Sequence, residues 1–150
     1  MISRARVLAG ALALLAGACA VPGPRPVVLG SENCQHCHMT VTDDRFIAQL
    51  VTTTGKVLIY DDPGCLATAL RDGAVEDDRI RSLWVTNYLD PATLLDADEA
   101  WFVQSDAVHT PMASGLAALP SQAQADSLAG SLNGTVLRWD AVRRDVDHRH

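Results

Sequence analysis

A single lysine, Lys56, serves all 150 residues, and acidic side chains outnumber lysine and arginine by 18 to 12. A chain with formal charge −6 has no basic surface to set against a phosphate backbone, which excludes nucleic acid as its partner. Methionine is scarce too. Besides Met1 there are only Met39 and Met112, and neither falls in an apolar stripe of helical spacing. No apolar run is long enough to cross a bilayer as a helix, which takes roughly 20 residues. Carboxylates are missing from the neighbourhood of the densest donor cluster in the chain, where only Glu32 is close in sequence. Hard cations want such oxygen ligands.

What is present at the N-terminus reads as an export address. Arg4 and Arg6 precede a short apolar run over residues 7–15, and Ala16-Gly17-Ala18-Cys19 follows. A basic start, an apolar core and small residues before the cut describe a secretory signal over residues 1–18. Cys19 directly after Ala-Gly-Ala resembles a bacterial lipobox, with cleavage before Cys19 and lipid on its sulfur; ordinary secretion is the alternative. Residues 19–30, with Pro22, Pro24 and Pro26, then read as a stiff lipid-anchored tether. Cleavage removes two arginines and no acid, so the mature chain is more acidic still. The remainder suffices for one compact body or two tightly fused small units.

Cys34-Gln35-His36-Cys37-His38 and Met39 put two thiols, two imidazoles and a thioether within six positions. Thiolate and thioether sulfur are the ligands that soft Cu(I) prefers. Cys37 and Met39, two apart, fall on one face if this segment is extended, and there they would clamp an ion from one side. Met112 lies in His109-Thr110-Pro111-Met112, on a loop rich in turn residues, and is a further ligand candidate with His109 beside it. Cys34 and His38 are candidates to complete the shell. Other chemistries fit parts of this cluster. The letters C-x-x-C-H also match the attachment motif for c-type haem, but β-strands rather than helices follow it. Structural zinc wants four ligands, including a second ligand pair. A Cys34–Cys37 disulfide accounts for neither the histidines nor Met39. Cys65, in the first turn of a predicted helix, is either a reactive thiol, a further ligand or a packing residue.

Periodicity supplies the frame. Residues 46–53 and 56–60 read as paired strands about a Thr54-Gly55 turn. Asp62-Pro63 starts a helix that carries Cys65, Leu66, Ala69 and Leu70 and stops at Gly73. Residues 82–88 alternate as a strand. After a linker from Asp90, with at most a helical turn, the order repeats: strands at 100–105 and 116–119, a helix capped by Ser121 and Gln124 and ended by Asn133-Gly134, and a last strand over 135–142. The expected fold is α+β: two small ββαβ units, residues 31–90 and 91–142, packed in one body, with a polar frayed tail over 143–150.

These residues resemble the NosL family, accessory lipoproteins of nitrous oxide reductase that act as copper chaperones. The resemblance rests on Cys37-x-Met39 ahead of the first strand, on TGKVLIYDDPGCLA at residues 54–67 and on His109-Thr110-Pro111-Met112, and it runs from about residue 31 to 142. It implies two homologous ββαβ units, no enzymatic activity, and Cu(I) binding and delivery outside the cytoplasm. The client implied is nitrous oxide reductase, whose copper–sulfur cluster the copper would build. Cys37, Met39 and Met112 match the family's ligands. Where the family usually has glycine between cysteine and methionine, this chain has His38. The expected protein is therefore a membrane-anchored, periplasm-facing Cu(I) carrier. A c-type cytochrome with His38 as axial ligand is the competing reading, and a disulfide-bonded protein-binding domain is a third.

Overall fold

The computed structural model describes residues 21–145; the signal segment, Cys19, His148 and His150 lie outside the described residues. Within residues 21–145, seven strands form two antiparallel sheets, and three helices cover them. Strands β1 (Ala48–Thr52) and β2 (Val57–Tyr60) pair across the predicted turn, where Gly55 takes a φ of +87°. Both faces of β1 are buried. Ala48 and Leu50 join the main core on one face, while the buried Gln49 amide takes hold of residue 25 on the other. The Arg25 N–H donates to Gln49 Oε1 at 3.0 Å and Gln49 Nε2 donates to the Arg25 carbonyl at 2.8 Å. The proline-rich segment thus lies along the first sheet from Arg25 onward.

Helix α1 (Pro63–Arg71) follows β2 at once. The Asp62 side chain caps it, Pro63 supplies a preset φ at its first position, and Cys65, Leu66, Ala69 and Leu70 bury one side. A single 3-10 turn at residues 77–79 leads into β3 (Ile80–Thr86), which begins before the predicted residue 82. β3 pairs on the other side of β1. The predicted linker contains a short strand instead, β4 (Leu94–Asp96), which extends the sheet to the order β2-β1-β3-β4.

The second half repeats the scheme with β5 (Trp101–Gln104), β6 (Leu116–Leu119), α2 (Gln122–Leu132) and β7 (Thr135–Arg138), in the order β6-β5-β7. Ser121 caps α2 as expected, its hydroxyl accepting from Gln124 N, and Asn133 closes it in the left-handed region at φ +50°. The last predicted strand breaks in two. After Arg138 the chain turns into α3 (Trp139–Asp145), so Arg143 to Asp145 are helical rather than frayed. Trp139 and Val142, three apart and both buried, share one helical face, and α3 packs on α1 with Trp139 5.5 Å from the Phe102 ring.

One core joins the halves: Leu50 and Val85 from the first sheet meet Phe102 and Ala118 from the second. A parallel bridge between Asn87 and Ala118 and a 2.9 Å bond from Tyr88 N to the Ala118 carbonyl stitch the sheets together. Phe46, Val108 and Ala117, with Tyr88 against them, seal the seam. Burying side chains of this size is worth about 1.5–3 kcal/mol each. The architecture is α+β with two small sheets in one compact body, as the periodicity predicts. Among the described residues no helix is long and apolar enough to cross a membrane.

Candidate metal centre

The donor cluster sits in a tight hairpin, not an extended segment. Residues 33 and 40 pair as an antiparallel bridge, Cys34 N donates to the Met39 carbonyl at 2.9 Å, and His38 N donates back to the Cys34 carbonyl at 3.1 Å. His38 closes the turn in the left-handed region at φ +64°. The expected extended Cys-x-Met clamp is therefore corrected: the chain reverses between the two sulfur residues, so strand alternation does not place them. Cys34 points inward and is fully buried, Cys37 is half-buried, and Met39 is 50% exposed.

A bond from Gln35 N to the Ile59 carbonyl, 2.9 Å, pins the hairpin to the end of β2. The next residues of the chain, Asp61 to Cys65, are all buried, and they bring two further donors. Ligand atoms of Cys34, Cys37, Asp61 and Cys65 all lie within 4.8 Å of one another. The Cys37 thiol donates toward the Asp61 carboxylate at 3.4 and 3.6 Å. All three of these cysteines are free. Two ligands about 2.3 Å from one ion cannot be more than about 4.6 Å apart, so these four donors need only small movements to share one.

Their protonation is uneven. The Cys65 thiol donates to the Cys34 sulfur, and backbone N–H groups of Cys37, Asp61 and His36 also point at it. Together these pull the Cys34 pKa down to about 6 against the opposing effect of burial. Burial, with the neighbouring Cys34 thiolate, pushes Cys37 up to about 11. Donating to Cys34, and then burial, push Cys65 up as well. One thiolate thus stands ready among thiols that give up protons as they bind metal.

Met112 approaches from the second half. The loop over residues 105–115 docks on the start of α1: Met112 N donates to Asp62 Oδ2 at 3.3 Å, and the Ser114 hydroxyl donates to Asp62 Oδ1, which also caps Gly64 N at 2.6 Å. The approach is close enough to need glycine. A Cβ on Gly64 would lie 2.6 Å from Ser114 Cβ. Met112 is 43% exposed, and its backbone is held by the residue next to Asp61 in the chain. His38 and His109 are exposed, and neither belongs to the group of mutually close donors.

Of the sequence candidates, the fold brings Cys34 and Cys37 together, keeps Met39 beside them on the hairpin, and leads the Met112 loop to the adjoining helix start. Sequence reasoning missed Asp61 and left Cys65 open. The run Asp61-Asp62-Pro63-Gly64-Cys65 was the available signal, since it places one carboxylate at a strand end and one thiol in the following helical turn. A covalent haem finds no support, because Cys34 is enclosed and Cys37 abuts Asp61.

The NosL family profile matches residues 27–146. Among solved structures, the crystal structure of the copper chaperone NosL from Shewanella denitrificans aligns with a TM-score of 0.68 at 17% identity, covering 80% of this chain and 96% of that one. At that identity the likeness is one of fold. A comparison with curated proteins gives no match. Because the profile spans the cysteine hairpin, both sheets and all three described helices, the chain belongs to the NosL family.

Proposed function

We propose that this chain is an extracytoplasmic Cu(I) carrier, anchored by lipid on Cys19, that delivers copper to nitrous oxide reductase for assembly of its copper–sulfur cluster. The observation that carries the metal reading is the group of three free cysteines and a carboxylate within 4.8 Å, in a member of a family whose crystallised representative is described as a copper chaperone. Cys37, Met39 and Met112 are the proposed ligands, with Cys34, His38 and His109 as candidates to complete the shell. Exposed thioethers suit a carrier. They bind soft copper less tightly than thiolates do, so cargo held partly by them can be handed over. The proposed units, residues 31–90 and 91–142, each contribute a ligand loop, which puts the copper between them.

Zinc competes seriously, because Cys65 and Asp61 supply the second ligand pair that a four-ligand site requires. Softness decides for copper: reduced protein should take about one Cu(I) per chain and keep it in the presence of Zn(II). Metal analysis after competitive loading tests this, and a chain filled with zinc would overturn the reading. The anchor is tested separately. The parent should fractionate with membranes, and Cys19→Ser should be released or left unprocessed; a soluble, unlipidated parent would refute the anchor. A single acyl chain binds only marginally, so the anchor needs more than one.

A further inference from the structure

We infer that Cys65 is a copper ligand, and that this chain offers copper two positions in sequence: an outer one at Cys37 with the exposed methionines, and an inner one at Cys34, Cys37 and Cys65. The inference rests on the Cu(I) reading above and adds to it a buried three-thiolate seat. Four observations carry it. The three sulfurs lie within 4.8 Å of one another. Cys34 and Cys65 are 0% and 3% exposed, so an ion held by them is shielded from water and competing ligands. Cys37 is the one thiol of the three that is half-exposed, and it is the residue from which Met39 is two positions away. Finally, the inner sulfurs are held by different elements, Cys34 by the hairpin and Cys65 by the first turn of α1, so closing on an ion would lock the hairpin against the helix.

Cys37 is then the shared ligand. Copper arriving at Cys37 and Met39 exchanges the weaker thioether for the thiolates of Cys34 and Cys65 one bond at a time. Each thiol that becomes a ligand releases its proton to solvent. No electron is transferred and the metal stays Cu(I). Delivery reverses the exchange, with Cys37 as the last thiolate to let go.

The test combines ligand counting with affinity. Reduced parent, a Met39→Ala/Met112→Ala double variant and a Cys65→Ser variant are loaded with one Cu(I) and studied by copper X-ray absorption and by titration against a chromophoric Cu(I) chelator. The inference predicts about three sulfurs around copper in the double methionine variant, and two when Cys65→Ser is added to that variant. It also predicts an affinity for Cys65→Ser lower by at least about tenfold, the lower end of what even residues behind a ligand contribute. Because Cys65 is buried, Cys65→Ser is accompanied by an apo melt, and the sulfur count in the methionine variant stands without it. Should that variant drop below three sulfurs while Cys65→Ser binds like the parent, Cys65 is a core residue and the inference fails with the Cu(I) reading intact. A parent that binds no Cu(I) at all overturns the reading itself.

Discussion

His38 separates the role of a position from the role of a side chain. It lies between two sulfur residues and carries an imidazole, so its composition makes it an attractive ligand. In the fold its backbone matters first, since at φ +64° it closes the hairpin that turns Cys34 inward. Histidine is among the residues that tolerate this region best, yet a left-handed non-glycine residue still costs about 1–2 kcal/mol. A glycine at this place would therefore answer a conformational need. Glycine gives back part of that gain through the greater freedom of the unfolded chain, about 0.4–1 kcal/mol. His38→Gly should raise apo stability by about 0.5–1 kcal/mol, a few degrees in a thermal melt, and should leave Cu(I) affinity within about threefold. A tenfold loss of affinity in the titration would instead make the imidazole a ligand. At this scale the sequence showed which residues carry soft donors. It did not show their directions, because the period-two rule applies to strands and residues 34–39 are a turn. Asp61 escaped, and Cys65 stayed open, for a different reason: the hairpin reaches them through non-local contacts such as the bond between Gln35 and Ile59.

Between elements, Asp62 makes several contacts with one carboxylate. It caps α1 through Gly64 N, accepts from Met112 N, and accepts from the Ser114 hydroxyl. The loop from the second sheet thus depends on the helix start of the first half. Asp62→Ala removes a cap worth about 1 kcal/mol and leaves loop donors without their acceptor, at about 1–3 kcal/mol for each one that stays buried. It should lower the apo melting temperature and also weaken Cu(I) binding several-fold, although Asp62 is no ligand, because the helix turn that carries Cys65 loses its cap and Met112 loses its fixed approach. Calorimetry beside the chelator titration checks both; destabilisation with unchanged affinity would mean that the loop does not depend on this contact. The Ser121 cap, the Asp-Pro helix start and the first-strand hairpin were legible because each is local chemistry. β4 was not, since three residues at a sheet edge show no period. The switch from β7 to α3 was hidden for a related reason. Over residues 135–142 a strand and a helical turn share the run, and Trp139 and Val142 are too few to announce the change.

Taken whole, the molecule is two β-β-α-β sheets with a common core, and the repeated order of elements was legible from periodicity well before any contact was known. How the halves meet was not, because Leu50, Phe102, Tyr88 and Ala118 are far apart in sequence and their pairing is tertiary. Met39 and the cysteines belong to one half and Met112 to the other, so a copper ion bound by both must stabilise their joined arrangement. A ligand present at 100 times its Kd adds about 2.7 kcal/mol to whatever binds it. The most direct measurement is a Cu(I) competition titration of Met112→Ala and Cys37→Ala, each made in Cys65→Ser so that only the outer position remains, beside Cys65→Ser itself, with apo melts of all three. In that background the site shared between halves predicts that Met112→Ala leaves the apo melting temperature unchanged, since the residue is 43% exposed on a loop, yet lowers Cu(I) affinity by about tenfold or more, with Cys37→Ala losing at least as much. Met112→Ala binding Cu(I) as tightly as Cys65→Ser alone would contradict it, and would confine the site to the cysteine hairpin and the start of α1.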